Sequence, residues 1–215
     1  MSDRRLPIYL VIDSSGSMNG TPIQAVNQGI QALVSDLQTD PYAIETVHLS
    51  VIEFNSSAQE TTPLTEINSF QPPILTTEGK THLGKALNLL IQLIQNDIRK
   101  PSSEEKGDWK PIVFLMTDGQ PTDSWEEAAD TLKQQKTAHV IACGAGNDVN
   151  ELVLKRIAET VIRLNDVSPD TFKAFFKWVS ASIVQYSSTL KLSPQASQGI
   201  NLPKPPASGG FQIIP

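Results

Sequence analysis

The stretch Leu6-Pro7-Ile8-Tyr9-Leu10-Val11-Ile12-Asp13-Ser14-Ser15-Gly16-Ser17-Met18 decides how this chain is organised. Its first half is a nearly continuous apolar run, the pattern of a strand buried on both faces. The next segment, Thr21–Leu37, carries Ile23, Val26, Ile30, Leu33, Val34 and Leu37 at helical spacing, with Pro22 suited to a first turn. Between strand and helix lie one carboxylate and two hydroxyls, Asp13, Ser15 and Ser17, at i, i+2 and i+4. Ligands that offer only oxygen suit a hard divalent cation such as Mg²⁺ or Mn²⁺. Ser and Gly after a strand are also ordinary turn formers, so this stretch alone leaves a plain turn open.

The alternation continues outward. Strands are expected at Thr46–Phe54, Pro111–Thr117, His139–Cys143 and Val161–Leu164, and helices at Thr81–Ile98, Ser124–Gln135, Val149–Ala158 and Pro169–Ser187. Asp123 or Ser124 is a plausible N-cap for the helix that follows them. Gln59–Ile67 reads as a short edge strand, since Pro63 is tolerated only at an edge. Ser69–Thr77 and Pro101–Lys110 read as loops. The pattern predicts an α/β fold: a doubly wound, mainly parallel central sheet with one antiparallel edge strand and helices on both faces. The division expected is one domain over residues 1–187 and a Pro/Gly/Ser-rich tail over 188–215. Within that tail, Phe211-Gln212-Ile213-Ile214 is an apolar patch that docks on the body, docks on another protein or stays loose.

Bulk properties narrow the function. The formal net charge is −6 from 17 Lys+Arg and 23 Asp+Glu, with no basic stretch, which argues against nucleic acid as a partner. A single cysteine, Cys143, excludes an internal disulfide and fits a reduced, cytoplasmic chain. No window approaches the 18 or so apolar residues of a membrane span, and Met1–Arg5 leads into a strand too short for a signal-peptide core. Neither a nucleophile elbow nor a cysteine partner accompanies His48, His82 or His139. Cys143 reads as core, and the scattered Trp109, Trp125 and Trp178 form no stacking platform.

Two further pieces join the first loop. In a doubly wound sheet, ligands bind beyond the carboxyl ends of the strands, near the reversal of strand order. Thr117-Asp118-Gly119 ends one apolar strand, and Gly79-Lys80-Thr81 opens a helix, where Thr81 is either a ligand or an N-cap. If the strands holding Leu10 and Leu115 are neighbours, Asp13 and Asp118 leave the same sheet edge. Asn19 and Gln120 are candidates for the rim, and Asp123 for an outer carboxylate.

This pattern resembles the von Willebrand factor A domain and its metal-ion-dependent adhesion site. The family motif is D-x-S-x-S, a distant Thr and a distant Asp, matched here by Asp13, Ser15, Ser17, Thr81 and Asp118. Among branches, Ile12–Met18 and Leu115–Asp123 resemble the compact bacterial TerY-like proteins of tellurite resistance and stress. The resemblance implies a non-enzymatic module that binds Mg²⁺, with Mn²⁺ or Ca²⁺ as alternatives. Through that ion it takes an Asp or Glu carboxylate of a protein partner. It also implies a cytoplasmic complex with a kinase or phosphatase encoded nearby. Two competing functions are a Mg²⁺-dependent phosphohydrolase and a scaffold with a purely structural metal. Haloacid-dehalogenase-like enzymes place a second Asp two residues after the first, where this chain has Ser15.

Overall fold

The computed structural model describes residues 4–103, 106–146, 149–192, 200, 202–206 and 209–214. Among these residues, seven strands form one sheet in the order β3-β2-β1-β4-β5-β6-β7. They are β1 (Leu6–Asp13), β2 (Val47–Phe54), β3 (Ala58–Glu66), β4 (Ile112–Thr117), β5 (His139–Ala145), β6 (Thr160–Leu164) and β7 (Phe211–Ile214). The helices are α1 (Thr21–Leu37), α2 (Pro41–Thr46), α3 (Leu83–Asp97), α4 (Glu126–Gln135), α5 (Glu151–Ile157) and α6 (Pro169–Leu192). β1 pairs in parallel with both β2 and β4, and β4-β5-β6 continue in parallel.

The burial pattern explains the layering. All eight residues of β1 are buried. Ile8, Leu10 and Ile12 face a core shared with α1 and α6, while Tyr9 and Val11 face one shared with α3, α4 and α5. Alternate side chains of a strand point to opposite faces, so a strand covered on both sides needs the unbroken apolar run seen at Leu6–Ile12. Cys143 is a buried core residue, as its apolar strand implied.

The sheet has two antiparallel edges where the sequence pattern predicted one. β3 pairs antiparallel with β2, carries Pro63 and is interrupted by register shifts, as an edge strand permits. The second edge is β7, which pairs antiparallel with β6. Four residues are too short for a readable periodicity, and the pairing depends on a contact with distant sequence. α6 also continues to Leu192, and α2 is a short helix that was not expected; Asp40 caps it by accepting from the Ala43 amide at 2.8 Å.

The segment leading to β7 is held along α6. The Trp178 indole N–H donates to the Pro203 carbonyl at 2.9 Å, and the Phe211 ring meets those of Phe175 and Trp178 edge-on. Gly210 makes the turn at φ 69° and accepts from the Asn165 amide at 2.8 Å; a Cβ there would lie 2.6 Å from Thr171 Oγ1. Gly210→Ala therefore combines left-handed strain with a clash. It is expected to cost about 1–2 kcal/mol. Hydrogen exchange should speed up selectively at the β6–β7 amides, and unchanged protection there would refute this account.

The end of the sheet opposite the C-termini of the parallel strands is closed by charge. Arg5 donates to both carboxylate oxygens of Asp108 at 2.6 and 2.9 Å and to the Asp97 carbonyl at 2.7 Å. The expected polar loop at Pro101–Lys110 thus ends in a buried clasp, with Trp109 only 4% exposed. Among the described residues, no helix is long and apolar enough to cross a membrane.

Candidate metal centre

Asp13 is the last residue of β1, and Asp118 follows the last residue of the neighbouring β4. The register pairs Val11 with Leu115 and Ile12 with Met116, which brings both carboxylates to one sheet edge. This is where strand order reverses about β1, the crevice in which doubly wound sheets bind ligands.

Backbone bonds lace three loops together there. The Glu78 amide donates to the Ser14 carbonyl at 2.9 Å, and the Gly16 amide donates to the Gly79 carbonyl at 3.1 Å. The Thr81 carbonyl accepts from the Thr122 amide at 2.9 Å and from its hydroxyl at 3.2 Å. The loop that carries Thr81 is thereby pinned between those carrying Ser15 and Asp118.

The side chains converge accordingly. Ser15 Oγ and Ser17 Oγ are 3.0 Å apart, and Ser17 Oγ donates to Asp118 Oδ1 at 2.7 Å. A methyl group built on Gly119 would lie 3.6 Å from Thr81 Oγ1 and 3.8 Å from Ser17 Oγ, so both hydroxyls face one point. Asp13 is fully buried, Ser15 and Thr81 nearly so, and Ser17 is exposed. All five residues expected from the sequence therefore gather in one place. Among the described residues, no three His, Cys, Asp or Glu side chains cluster as a metal site. The site offers two carboxylates and three hydroxyls instead.

Asp13 is the electrostatic centre of the arrangement. It accepts from the Ser15 amide at 2.8 Å and from the Thr117 hydroxyl at 2.5 Å. Burial nevertheless pushes its carboxyl up from 3.8 to about 6, and the Asp118 charge adds to that; the Thr117 and Ser15 hydrogen bonds pull the other way. A buried carboxylate with too few donors is stabilised by a nearby cation. That need, with oxygen-only neighbours, fits a hard divalent ion.

Two supporting residues escaped the sequence reading, and a third, Asp123, acts on a different helix from the one expected. In the sequence Thr117 is only the first residue of Thr-Asp-Gly, yet its hydroxyl orients Asp13. Asn55 joins the loops by donating from its side chain to Ser14 Oγ at 3.3 Å and accepting the His82 amide at 2.9 Å. Nothing about an Asn after a strand announces this. Thr81 does not cap α3; Asp123, expected to cap the helix next to it, caps α3 instead. Its two oxygens accept the Gly84 and Lys85 amides at 3.0 and 3.1 Å. α4 begins later, at Glu126, with no side-chain cap. Close packing of α3 on α4 decides this, since Gly84 leaves no room for a Cβ beside the Ser124 carbonyl, at 2.1 Å.

Asp123→Ala should leave two orphan N–H groups at the first turn of α3. The expected loss is about 1–2 kcal/mol, with Asp123→Asn losing less. Urea denaturation of the metal-free protein measures it, and an unchanged midpoint would show that water replaces the cap.

Asn19 Oδ1 accepts from the Thr77 hydroxyl at 3.2 Å, and His82 Nδ1 pairs with the Ser56 carbonyl at 2.8 Å. His48 and His139 lie in β2 and β5, away from this edge.

Known proteins share this fold. A protein of uncharacterized function from Synechocystis sp. is 28% identical over 218 residues, covering 94% of this chain and 49% of that protein. The human collagen alpha-5(VI) chain is 24% identical over 151 residues, 66% of this chain and 5% of the collagen chain. This chain thus spans about half of the first relative and a small part of the second. Among solved structures, a von Willebrand factor type A protein from Catenulispora acidiphila superposes with a TM-score of 0.64 at 20% identity, covering 84% of this chain and 43% of that one. Proximal thread matrix protein 1 of the mussel byssus, solved with a zinc-occupied metal-ion-dependent adhesion motif, gives 0.60 at 23% identity, covering 83% and 48%. The von Willebrand factor type A domain profile matches residues 8–177, and the chain belongs to that family of interaction modules.

Proposed function

We propose that this protein is a non-enzymatic interaction module that takes an Asp or Glu carboxylate of a protein partner through a divalent ion held by Asp13, Ser15, Ser17, Thr81 and Asp118. The observation that carries this is the buried Asp13 carboxyl, raised to about 6, beside converging hydroxyls. A bound Mg²⁺, Mn²⁺ or Ca²⁺ would supply the missing positive charge and an open position for an anionic oxygen. The chain's own part is to hold the donors still. Ser15 and Thr117 orient Asp13, and Thr122 holds the Thr81 backbone. Three of the five donors are neutral hydroxyls, so an ion that takes at most one of the two carboxylates directly, and the other through water, retains net positive character toward a partner's carboxylate.

The phosphohydrolase reading is disfavoured by the same geometry. Both Asp13 oxygens accept hydrogen bonds, and the second acid of such enzymes is replaced by Ser15. The zinc-occupied motif of the mussel protein supports metal binding at this kind of site. The setting we propose is a cytoplasmic tellurite-resistance or stress complex with a kinase or phosphatase partner; it rests on the TerY-like phrases at residues 12–18 and 115–123.

Calorimetric titration with Mg²⁺, Mn²⁺ and Ca²⁺ tests the ion. A Gly/Ser peptide with one Asp then tests the socket. We expect peptide binding only with metal, and its loss in Asp118→Asn. Peptide binding that survives chelation, or an unaltered Asp118→Asn variant, would overturn the reading. A metal that binds without any peptide uptake would favour a purely structural ion.

A further inference from the structure

Beside the candidate metal centre lies an open groove of about 480 Å³. Gln120, two residues after Asp118, forms one wall; Asn150, Leu152, Lys155 and Arg163 form the other side. Two residues of chain span at most about 7 Å, so the groove begins at the rim of the metal centre.

Its chemistry is cationic within an acidic protein. Arg163 is neutralised by Glu151 at 2.9 Å and also donates to the Gly146 carbonyl at 3.2 Å, which fixes it as a wall. Lys155 is exposed, and no described hydrogen bond or ion pair engages its ammonium. Lys133 lies against it, donating to the Lys155 carbonyl at 3.0 Å. The Asn150 side-chain oxygen is already used by the Leu152 amide at 3.0 Å, which leaves its NH₂ as a donor. Among the described lining residues, the donors left open are therefore the Lys155 ammonium and the Asn150 and Gln120 amides, while Glu151 is paired with Arg163. Leu152 is 77% exposed and offers an apolar ledge to the same occupant.

We propose that this groove takes a second carboxylate of the partner, so that the protein recognises a segment with two acidic side chains rather than a single acid. One carboxylate goes to the metal centre and the other, a few residues away, to Lys155 and the two amides. The inference rests on the carboxylate reading of the metal centre. Charge complementarity selects the occupant: a basic segment would meet Lys155, Lys133 and the bound ion, and a neutral one would leave Lys155 unanswered.

The test uses labelled Gly/Ser peptides with one Asp, or with a second Asp two, three or four residues later, titrated into the full chain in Mg²⁺ or chelator. At least one two-Asp peptide should bind about fivefold or more tighter than the one-Asp peptide. Lys155→Glu and Lys155→Met should abolish that advantage while leaving one-Asp binding within twofold; Lys173→Glu, on α6, controls for general charge. Equal binding of all peptides in Mg²⁺ would overturn the groove and leave the metal centre standing. An advantage that persists in Lys155→Glu, or falls equally in Lys173→Glu, would also overturn it. Lys155-dependent binding that survives chelation would overturn the metal reading and keep the groove as an anion site. No binding of any peptide would overturn both.

Discussion

Asp13→Asn is expected to raise the unfolding midpoint of the metal-free protein at pH 7.5 by about 5–10 °C, and to abolish any rise on adding Mg²⁺. The cause is a difference in proton binding between the folded and unfolded states. The folded Asp13 carboxyl stands at about 6 against 3.8 for the unfolded chain, because it is buried. The folded state therefore binds the proton more tightly than the unfolded state. Its contribution is fully present below pH 3.8 and is lost as pH rises through about 6. Above that, ionised Asp13 costs about 2–3 kcal/mol at 1.36 kcal/mol per pH unit. Asn removes the charge and keeps the shape. Its oxygen still accepts from the Ser15 amide, and the Thr117 hydroxyl rotates to accept from its NH₂.

A ligand that binds only the native state adds about 2.7 kcal/mol at 100 times its Kd, so Mg²⁺ should offset the Asp13 penalty in the wild type alone. Thermal unfolding of both proteins at pH 4 and 7.5, with Mg²⁺ or chelator, measures all of this. The metal-free stability difference should be near zero at pH 4 and full at pH 7.5. An Asn variant less stable than wild type at pH 7.5 without metal would show that Asp13 is not under this strain.

The second large effect belongs to the core. Gly29 in α1 faces Phe176 in α6, and a Cβ on it would lie 2.0 Å from a ring carbon. Phe176 is 2% exposed and packs against the Phe175 ring, so it cannot swing aside. Gly29→Ala must push two helices apart across a close-packed interface. The expected loss is about 3 kcal/mol, or about 6–12 °C in the midpoint, despite the higher helix propensity of Ala. Phe176→Leu in the same chain should recover part of it, a coupling that a double-mutant cycle reads directly. Additive effects of the two substitutions would mean that the clash is relieved elsewhere.

Most of the architecture is determined locally. Unbroken apolar runs such as Leu6–Ile12 and Ile112–Met116 require coverage on both faces, and the 3.6-residue stripe of Thr21–Leu37 supplies one cover. The identity of the oxygen donors is legible too, and Asp13, Ser15 and Ser17 are sequence neighbours. Asp118 and Thr81 join them only through the pairing of two distant strands and the bonds between loops. What only tertiary structure decides is every feature whose energy depends on a partner far along the chain. β7 is four residues that become a strand because β6 has an edge to fill and Phe175 and Trp178 a ring to pack. Asp123 caps α3 rather than its own neighbour because α3 packs on α4 closely enough for two amides to reach it. Asp13 shifts upward because burial strips water from it, and burial is a property of the folded sheet edge rather than of the letters around it.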